Sequence, residues 1–453
     1  MAGASDGQGR TRGAYAIGAF GTDLFWQSTS FYLLFYYTDV LGLPNTTAGL
    51  VFGAAMVWDG LIDPAMGVIA NRTNTRRGRY RPYILLGAVP LAAAYVLMHA
   101  QPFMGVGASA VFALLAHMLF RTAYTAVSIP YGSLSAALTT DSAERNRLAM
   151  FKVLGAASAG LVVALASHPF LALWPTPAHG WLALSLLWGV LATGAFVAMY
   201  ALTRERADVA QEATPGLSDL LKATLRNPPF LVVISAIMLV SIATTVTGKV
   251  IVYYFTYYLQ RPDLAGPALA IQVISVIVLT PVWAWVAHRF SKRWAWLGGT
   301  AIAAVGQAVL MAYRGVDPTI VLAILALIAV GAAAIPVIFW SLAPDVVEIG
   351  EWTTGLRAEG MVFGVVTLGQ KVALGVGIGL TGVLLDVIGY HPNAAQAPAT
   401  LAGLHLMITL PALVGYVGSG IVMAFYSLDG ERHRRLVRAL EWRAARRTAR
   451  SQA

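Results

Sequence analysis

The sequence predicts an all-α membrane protein with twelve transmembrane helices arranged as two parallel six-helix halves. Three observations carry this reading. Of the 453 residues, 58% are hydrophobic and only 11% are charged, with a mean hydropathy of +0.67, whereas a globular chain carries about a quarter charged residues. Polar and Gly/Pro breaks divide the chain into twelve apolar stretches, each near the ~20 residues that a bilayer-crossing helix needs. Finally, motifs recur in the same order about 206 to 218 residues apart, the mark of an internal repeat. Strands of a membrane barrel alternate in polarity over about ten residues, and ALAIQVISVIVLTPVWAWVA is too long and too uniformly apolar for that.

In chain order the first half supplies spans 14–38, 46–70, 82–100, 108–138, 148–167 and 180–203. The second supplies 229–258, 264–288, 294–313, 319–343, 359–388 and 401–427. The polar opening MAGASDGQGRTRG leads into the first span without a small-residue cleavage site, so no removable signal peptide is expected. FYYTDVLGLP around Thr38 closes the first span, and YYFTYYLQRP around Thr256 closes the seventh. ANRTNTRRGRY follows the second span and AHRFSKRW the eighth. In the fourth, Ile129-Pro130 with Ser133-Leu134 is answered in the tenth by Ile335-Pro336 with Ser341-Leu342. The expected organisation is an N-terminal bundle over 1–203, a polar linker over 204–228, a C-terminal bundle over 229–428 and a basic tail over 429–453. Parallel repeats of this kind place a substrate site near the midplane between the halves.

Charge fixes the expected orientation. The chain holds 31 Lys and Arg against 21 Asp and Glu, a net charge of +10. Most of the basic residues fall on one side if both termini are cytoplasmic: Arg10 and Arg12, the loop from Arg72 to Arg81, Arg145 and Arg147, the linker, Arg289 to Arg293, and the tail. The opposite loops hold Arg261 and Arg314. This Lys/Arg bias sets topology, and the tail then reads as an attraction to anionic lipid, with no nucleic-acid role. The chain has no cysteine, which excludes disulfides, thiolate metal sites and cysteine nucleophiles. No P-loop, metal-ligand spacing or nucleophile elbow is present, so an enzyme is not expected.

Six charged residues fall inside predicted spans: Asp23, Asp59, Asp63, Arg121, Lys249 and Lys371. A charge at the bilayer centre costs about 2.5 to 3.5 kcal/mol on insertion scales, so such residues face interior cavities and mark function. Asp59 and Asp63, four apart in VWDGLIDPAMG, share one helical face. Two like charges one turn apart invite a bound cation or a proton; the plainer alternative is that Asp63 braces the helix end with Pro64 and the arginines. Asp23 sits among aromatics in AFGTDLFWQSTSFY, a setting that suits the hydroxyl edge and apolar face of a sugar, or it pairs with Lys371 or Arg121. Lys371, on the glycine-rich TLGQKVALGVGIG helix, is expected to project between the halves. Arg121 and Ser128, seven apart, share a face and one cavity, and an arginine suits bidentate binding of a carboxylate or sulfonate. Lys249 and Lys152, nearer helix ends, are expected to balance the acids or to snorkel to an interface. His117 is expected to pack or hydrogen-bond and not to relay protons. Gln27, Ser28, Thr29, Ser30 and Thr125 keep the cavity partly polar.

At these residues the chain resembles the glycoside–pentoside–hexuronide:cation symporters of the major facilitator superfamily, the group that contains melibiose permease. The resemblance runs through FGTDLFW, YYTDVLGL, WDGLIDPAMGVIANRTNTRRGRYRPYILLGAVP, AYTAVSIPYGSLSAALTTDSAERNRL, SLAPDVVEIGEWTTGLRAEGMVFGV and GQKVALGVG, nearly end to end. It implies a monomeric symporter in the bacterial inner membrane that moves a sugar with a cation by alternating access, needing no cofactor beyond that ion. It assigns Asp59, Asp63 and Thr125 to the coupling-cation site. It assigns Asp23, Tyr124, Thr367 and Lys371 to the sugar cavity or its link to the cation, with Lys152 near a basic sugar-site position. Where melibiose permease has an amide just before the second helix-2 aspartate, this chain has Ile62. An oxygen ligand for a hard cation is thereby lost, which favours H+ while leaving Na+ open. The helix-4 acid is replaced by Ser128 and a nearby aromatic by Gly132; with Arg121 present, this favours an anionic sugar, a hexuronide or a sulfonated sugar. A Na+-coupled carrier of neutral glycosides or pentosides and a lysolipid carrier stay open as alternatives. The helix 2–3 arginines with Asp345, Glu348, Glu351, Arg357 and Glu359 are expected to form a charge network that holds one conformation closed.

Overall fold

The computed structural model describes residues 2–101, 105–139, 141–205, 222, 224–354 and 359–426, with 432, 435, 438–440 and 442. The regular elements among the described residues are helical. The first half comprises α1 (Ala2–Phe35, continued by a π-turn at Tyr36–Val40), α2 (Asn45–Arg72), α3 (Arg81–Met98), α4 (Val106–Leu138), α5 (Ser142–Leu171) and α6 (Pro177–Leu202). The second comprises α7 (Pro228–Tyr253, continued by a π-turn at Tyr254–Tyr258), α8 (Ala265–Arg289), α9 (Lys292–Ala312), α10 (Pro318–Thr354), α11 (Glu359–Val387) and α12 (Pro398–Ala424). The echo between FYYTDVLGLP and YYFTYYLQRP is thus structural: both segments end their helices in a π-turn. Eleven of these helices are long and apolar enough to cross a membrane by themselves. The twelfth is α1, diluted by Thr22, Asp23, Gln27, Ser28 and Thr29.

Several helices overrun the spans that hydropathy marks. α5 begins at Ser142 where 148 was expected, and α10 runs to Thr354 where 343 was expected. Apolarity measures the bilayer-crossing part, whereas backbone hydrogen bonding continues until a cap stops it. Pro opens α6, α7 and α10, where its missing N–H costs nothing. Thr176, Asn227 and Asp317 cap these starts by accepting from the backbone N–H of His179, Phe230 and Thr319. α10 breaks at Ala333, because Pro336 has no N–H to donate to Ala332 and its ring crowds that carbonyl. Much of the expected linker and tail lies outside the described residues.

Within the first half α1 packs on α5 and α6, α3 on α4 and α6, and α2 on α4; in the second, α7 packs on α11 and α12, α9 on α10 and α12, and α8 on α10. The halves meet where α2 faces α11 and α5 faces α8. Glycine makes the α2–α11 approach possible: a Cβ on Gly49 would lie 2.9 Å from Gly382 Cα, and one on Gly53 2.7 Å from the Gly375 carbonyl. Gly53→Val is therefore expected to destabilise the protein by about 1–3 kcal/mol through overpacking. The reading is the melting temperature of the purified protein in detergent, and an unchanged value would contradict this packing.

The two ends of the interface differ. At the end opposite the arginine-rich loops, hydrogen bonds tie α1 and α2 to α7 and α11. Toward the arginine-rich end, Trp340 borders the internal cavity of the second half yet is 48% exposed.

Candidate substrate and coupling site

α2 carries Asp59 and Asp63 one turn apart on the face toward α4 and α11. The Thr125 hydroxyl of α4 lies 2.9 Å from Asp59 Oδ1 and 2.8 Å from Asp63 Oδ1. A hydroxyl has one proton to give, so it serves one carboxylate at a time. The other oxygen–oxygen contact is satisfied only by a carboxyl proton or a cation. From α11, Lys371 Nζ hydrogen-bonds Asp63 Oδ2 and lies 2.7 Å from Asp59 Oδ2, as an ion contact without hydrogen-bond alignment. Gly60 admits it: a Cβ there would stand 3.5 Å from Lys371 Cβ and 3.0 Å from Leu368. Arg121 Nη1 of α4 stands 3.9 Å from Asp59 Oδ2. Asp59 is fully buried and Arg121 is 1% exposed. Two acids and two bases therefore balance inside the protein, with Lys371 joining the two halves.

Arg121 also borders a cavity of about 160 Å³ with Trp26, Ser30, Phe52, Lys249 and Gln272. No carboxylate is among its lining residues. The guanidinium lies 5.3 Å from the Trp26 ring centroid, and its Nε donates to His117 Nε2 at 3.2 Å. His117 thus hydrogen-bonds, as expected, and in accepting it holds its ring neutral. Arg121 Nη1 has no hydrogen-bond partner. Lys249 does not snorkel. It is 6% exposed, its ammonium sits 4.5 Å from the Phe52 ring centroid, and it donates to the Ser30 carbonyl across the interface. Its face of α7 is turned toward α1 and α2, so the ammonium finds a carbonyl and a ring face inside the protein.

The remaining expected residues spread outward. Tyr124 is buried and stacks on Trp26 with centroids 6.0 Å apart. Ser128 lies two turns along α4 from Arg121 and is half-buried. Asp23 does not pair with Lys371 or Arg121, because both are turned to Asp59; the opposite charge acting on it is Lys152 of α5. Lys152 is exposed, its ammonium 5.7 Å from the Tyr131 ring centroid. Thr367 is exposed, and its hydroxyl is spent on the Phe363 carbonyl at 2.9 Å. The structure therefore gathers Asp59, Asp63, Thr125, Lys371, Arg121 and Tyr124, sets Asp23 with Lys152, and leaves Thr367 apart.

Sequence reasoning missed the clasp at the closed end. Asp39, 8% exposed, accepts from the hydroxyls of Tyr257 (2.5 Å), Tyr390 (2.6 Å) and Thr38 (2.6 Å). Its carbonyl accepts from Asn393 Nδ2 at 2.7 Å. Asp386 accepts from Asn45 Nδ2 at 2.8 Å and from the Thr46 N–H at 2.9 Å. The signal was present in the acid of FYYTDVLGLP and the tyrosines of its echo, but pattern alone does not say that the two echoes touch. Because the chain has no cysteine, Thr245→Cys places one reporter in the Arg121 cavity wall. Adding Asp39→Ala is expected to raise its labelling by an impermeant maleimide from the clasp side several-fold; unchanged labelling would deny the clasp its role.

At the arginine-rich end, two of the described ion pairs each brace one half internally. Lys292 meets Asp345 at 2.8 Å in the second half, and Arg12 meets Glu144 at 2.6 Å in the first. The Glu205 carboxylate accepts the N–H groups of Arg79, Tyr80 and Arg81, ordering the helix 2–3 loop. Arg357 and the Glu359 side chain lie outside the described residues.

Comparison with known proteins agrees with this architecture. The isoprimeverose transporter of Lactiplantibacillus pentosus is 30% identical over 427 residues, covering 92% of this chain and 88% of that relative. The glucuronide carrier protein homolog of Escherichia coli is 25% identical over 434 residues, covering 94% of each chain. Among solved structures, a bacterial homolog of the human lysosomal transporter Spinster superposes with a TM-score of 0.70 at 14% identity, covering 93% of this chain and 96% of that one. The family described as MFS/sugar transport protein matches residues 14–430. The chain belongs to that family of transporters, as its helix-1 and helix-2 motifs indicated.

Proposed function

We propose that the protein is a symporter that carries an anionic sugar or glycoside, a hexuronide or a sulfonated sugar, together with a proton across a bacterial inner membrane. The observation that carries the substrate class is the cavity at Arg121 and Lys249, which has two cationic side chains and no carboxylate in its lining. A guanidinium nitrogen with no hydrogen-bond partner suits a carboxylate or sulfonate, and Trp26 offers a flat apolar face to a ring. The relative named for glucuronide supports an acidic sugar.

Charge arithmetic supports the proton. With Asp59, Asp63, Lys371 and Arg121 all ionised, the cluster is neutral. A proton on one carboxyl leaves one positive charge beside the cavity, which attracts an anion, and the anion in turn favours the proton. Such coupling is reciprocal by thermodynamic necessity. Protonation also removes one of the two negative charges that face Lys371, loosening the α2–α11 link about which the halves rock. Ile62 adds no oxygen for Na+. The arginine-rich end is read as cytoplasmic from its Lys/Arg excess, so the clasp closes the outer side.

Solute-triggered proton movement in proteoliposomes tests this reading, with and without Na+, across neutral glycosides, pentosides, hexuronides and sulfonated sugars. The expected result is external alkalinisation on adding an acidic sugar, with no Na+ requirement. A Na+-dependent signal confined to neutral glycosides would overturn both the substrate class and the ion; three converging oxygens of Asp59, Asp63 and Thr125 are the observation that would then explain it.

A further inference from the structure

Beside the Arg121 cavity, and sharing Gly248 and Gln272 with it, lies a larger cavity of about 330 Å³ inside the second half. That volume falls in the range of about 300 to 1,000 Å³ typical of small-molecule sites. Its polar lining includes Thr247, Gln272, Gln307, Gln370 and Tyr416, and no Asp, Glu, Lys, Arg or His borders it. The cavity is therefore electrically neutral, unlike its neighbour.

Two of the residues that line it carry a buried oxygen without a hydrogen-bond partner. Gln307 Oε1 on α9 and Thr247 Oγ1 on α7 make no hydrogen bond, although the residues are only 1% and 7% exposed. Buried polar groups in folded proteins are nearly always bonded. Neighbouring threonines behave in the ordinary way: Thr244 donates to the Val240 carbonyl at 2.7 Å and Thr245 to the Ser241 carbonyl at 2.6 Å. The Thr247 hydroxyl makes no such bond. An amide oxygen accepts, and a hydroxyl both donates and accepts. Together they match the hydroxyl groups of a neutral ring. The cavity wall also includes Ala332 and Ala333 at the break in α10, where Pro336 supplies no N–H to the Ala332 carbonyl.

We propose that this cavity is a second subsite that holds an uncharged, hydroxyl-rich ring, so that the substrate is a two-ring glycoside. The charged ring lies against Arg121, the neutral ring meets Gln307 and Thr247, and the link between them passes Gly248 and Gln272. The placement of the charged ring rests on the function proposed above; the neutral subsite does not.

The test is isothermal titration of the purified full-length protein with four probes: a hexuronate, a disaccharide joining that hexuronate to a neutral hexose, a neutral hexose, and a neutral disaccharide. It is repeated on Gln307→Leu and Thr247→Val, which keep volume and remove the unpartnered atom. The expected result is that each variant weakens disaccharide binding roughly three- to tenfold, as the loss of about one hydrogen bond implies, while hexuronate binding stays unchanged. Melting temperatures without sugar should not fall, because neither atom has a partner to lose. Equal disaccharide affinity in wild type and both variants would overturn the subsite, as would a fall in melting temperature in both variants, which would assign these residues to packing. If only neutral disaccharides bind and the variants still weaken them, the subsite stands and the anionic reading falls.

Discussion

Asp59→Asn is expected to abolish accumulation of sugar against its gradient while sugar exchange across the membrane continues. Asparagine keeps the size of the side chain and still accepts from Thr125, but it cannot take up or release a proton. Asp63 retains Lys371, so the link between α2 and α11 survives. Arg121 loses its counter-charge at 3.9 Å, and breaking a buried charge pair costs up to about 3–5 kcal/mol; exchange activity therefore serves as the control for folding. Transport in right-side-out vesicles with an imposed proton gradient separates the outcomes. Accumulation equal to wild type would remove Asp59 from the coupling site. Loss of exchange together with accumulation would mean that the substitution damages the fold and that the milder Asp63→Asn must be read in its place.

Arg121→Ala should weaken binding of acidic sugars far more than binding of neutral ones. A hydrogen bond to a charged group contributes about 1.5–3 kcal/mol, which at about 1.4 kcal/mol per tenfold corresponds to roughly ten- to a hundredfold in affinity. Asp59 keeps the Lys371 contact at 2.7 Å, so the variant does not strand a buried carboxylate. Arg121→Lys should fall between, since an ammonium keeps the charge but loses the planar fork. Equal loss for both sugar classes would make Arg121 a structural partner of Asp59 and His117 and nothing more.

These expectations rest partly on local sequence and partly on contacts that no local pattern contains. Span number and fold class follow from the sequence because the bilayer imposes a hydrophobic length on each crossing, a property that a short window carries. The shared face of Asp59 and Asp63 follows from helical geometry between residues four apart. The repeat was legible for the same reason: two copies of one pattern can be compared without knowing where they lie.

What joins distant segments was decided only by the tertiary structure. Lys371 reaches Asp63 across 308 positions, and a charge inside a span says that a partner is needed without saying which. The sequence offered Lys371 or Arg121 as partners for Asp23; the close glycine packing of α2 on α11 instead brings Asp59 and Asp63 to Lys371 and leaves Asp23 to Lys152. Lys249 meets the Ser30 carbonyl, 219 positions away, a partner that hydropathy along one helix does not register. The Asp39 clasp joins Tyr257, 218 positions away, and Tyr390, 351 away. Patterning within a helix reports which side chains share a face, and only the packing of one helix against another reports what that face meets.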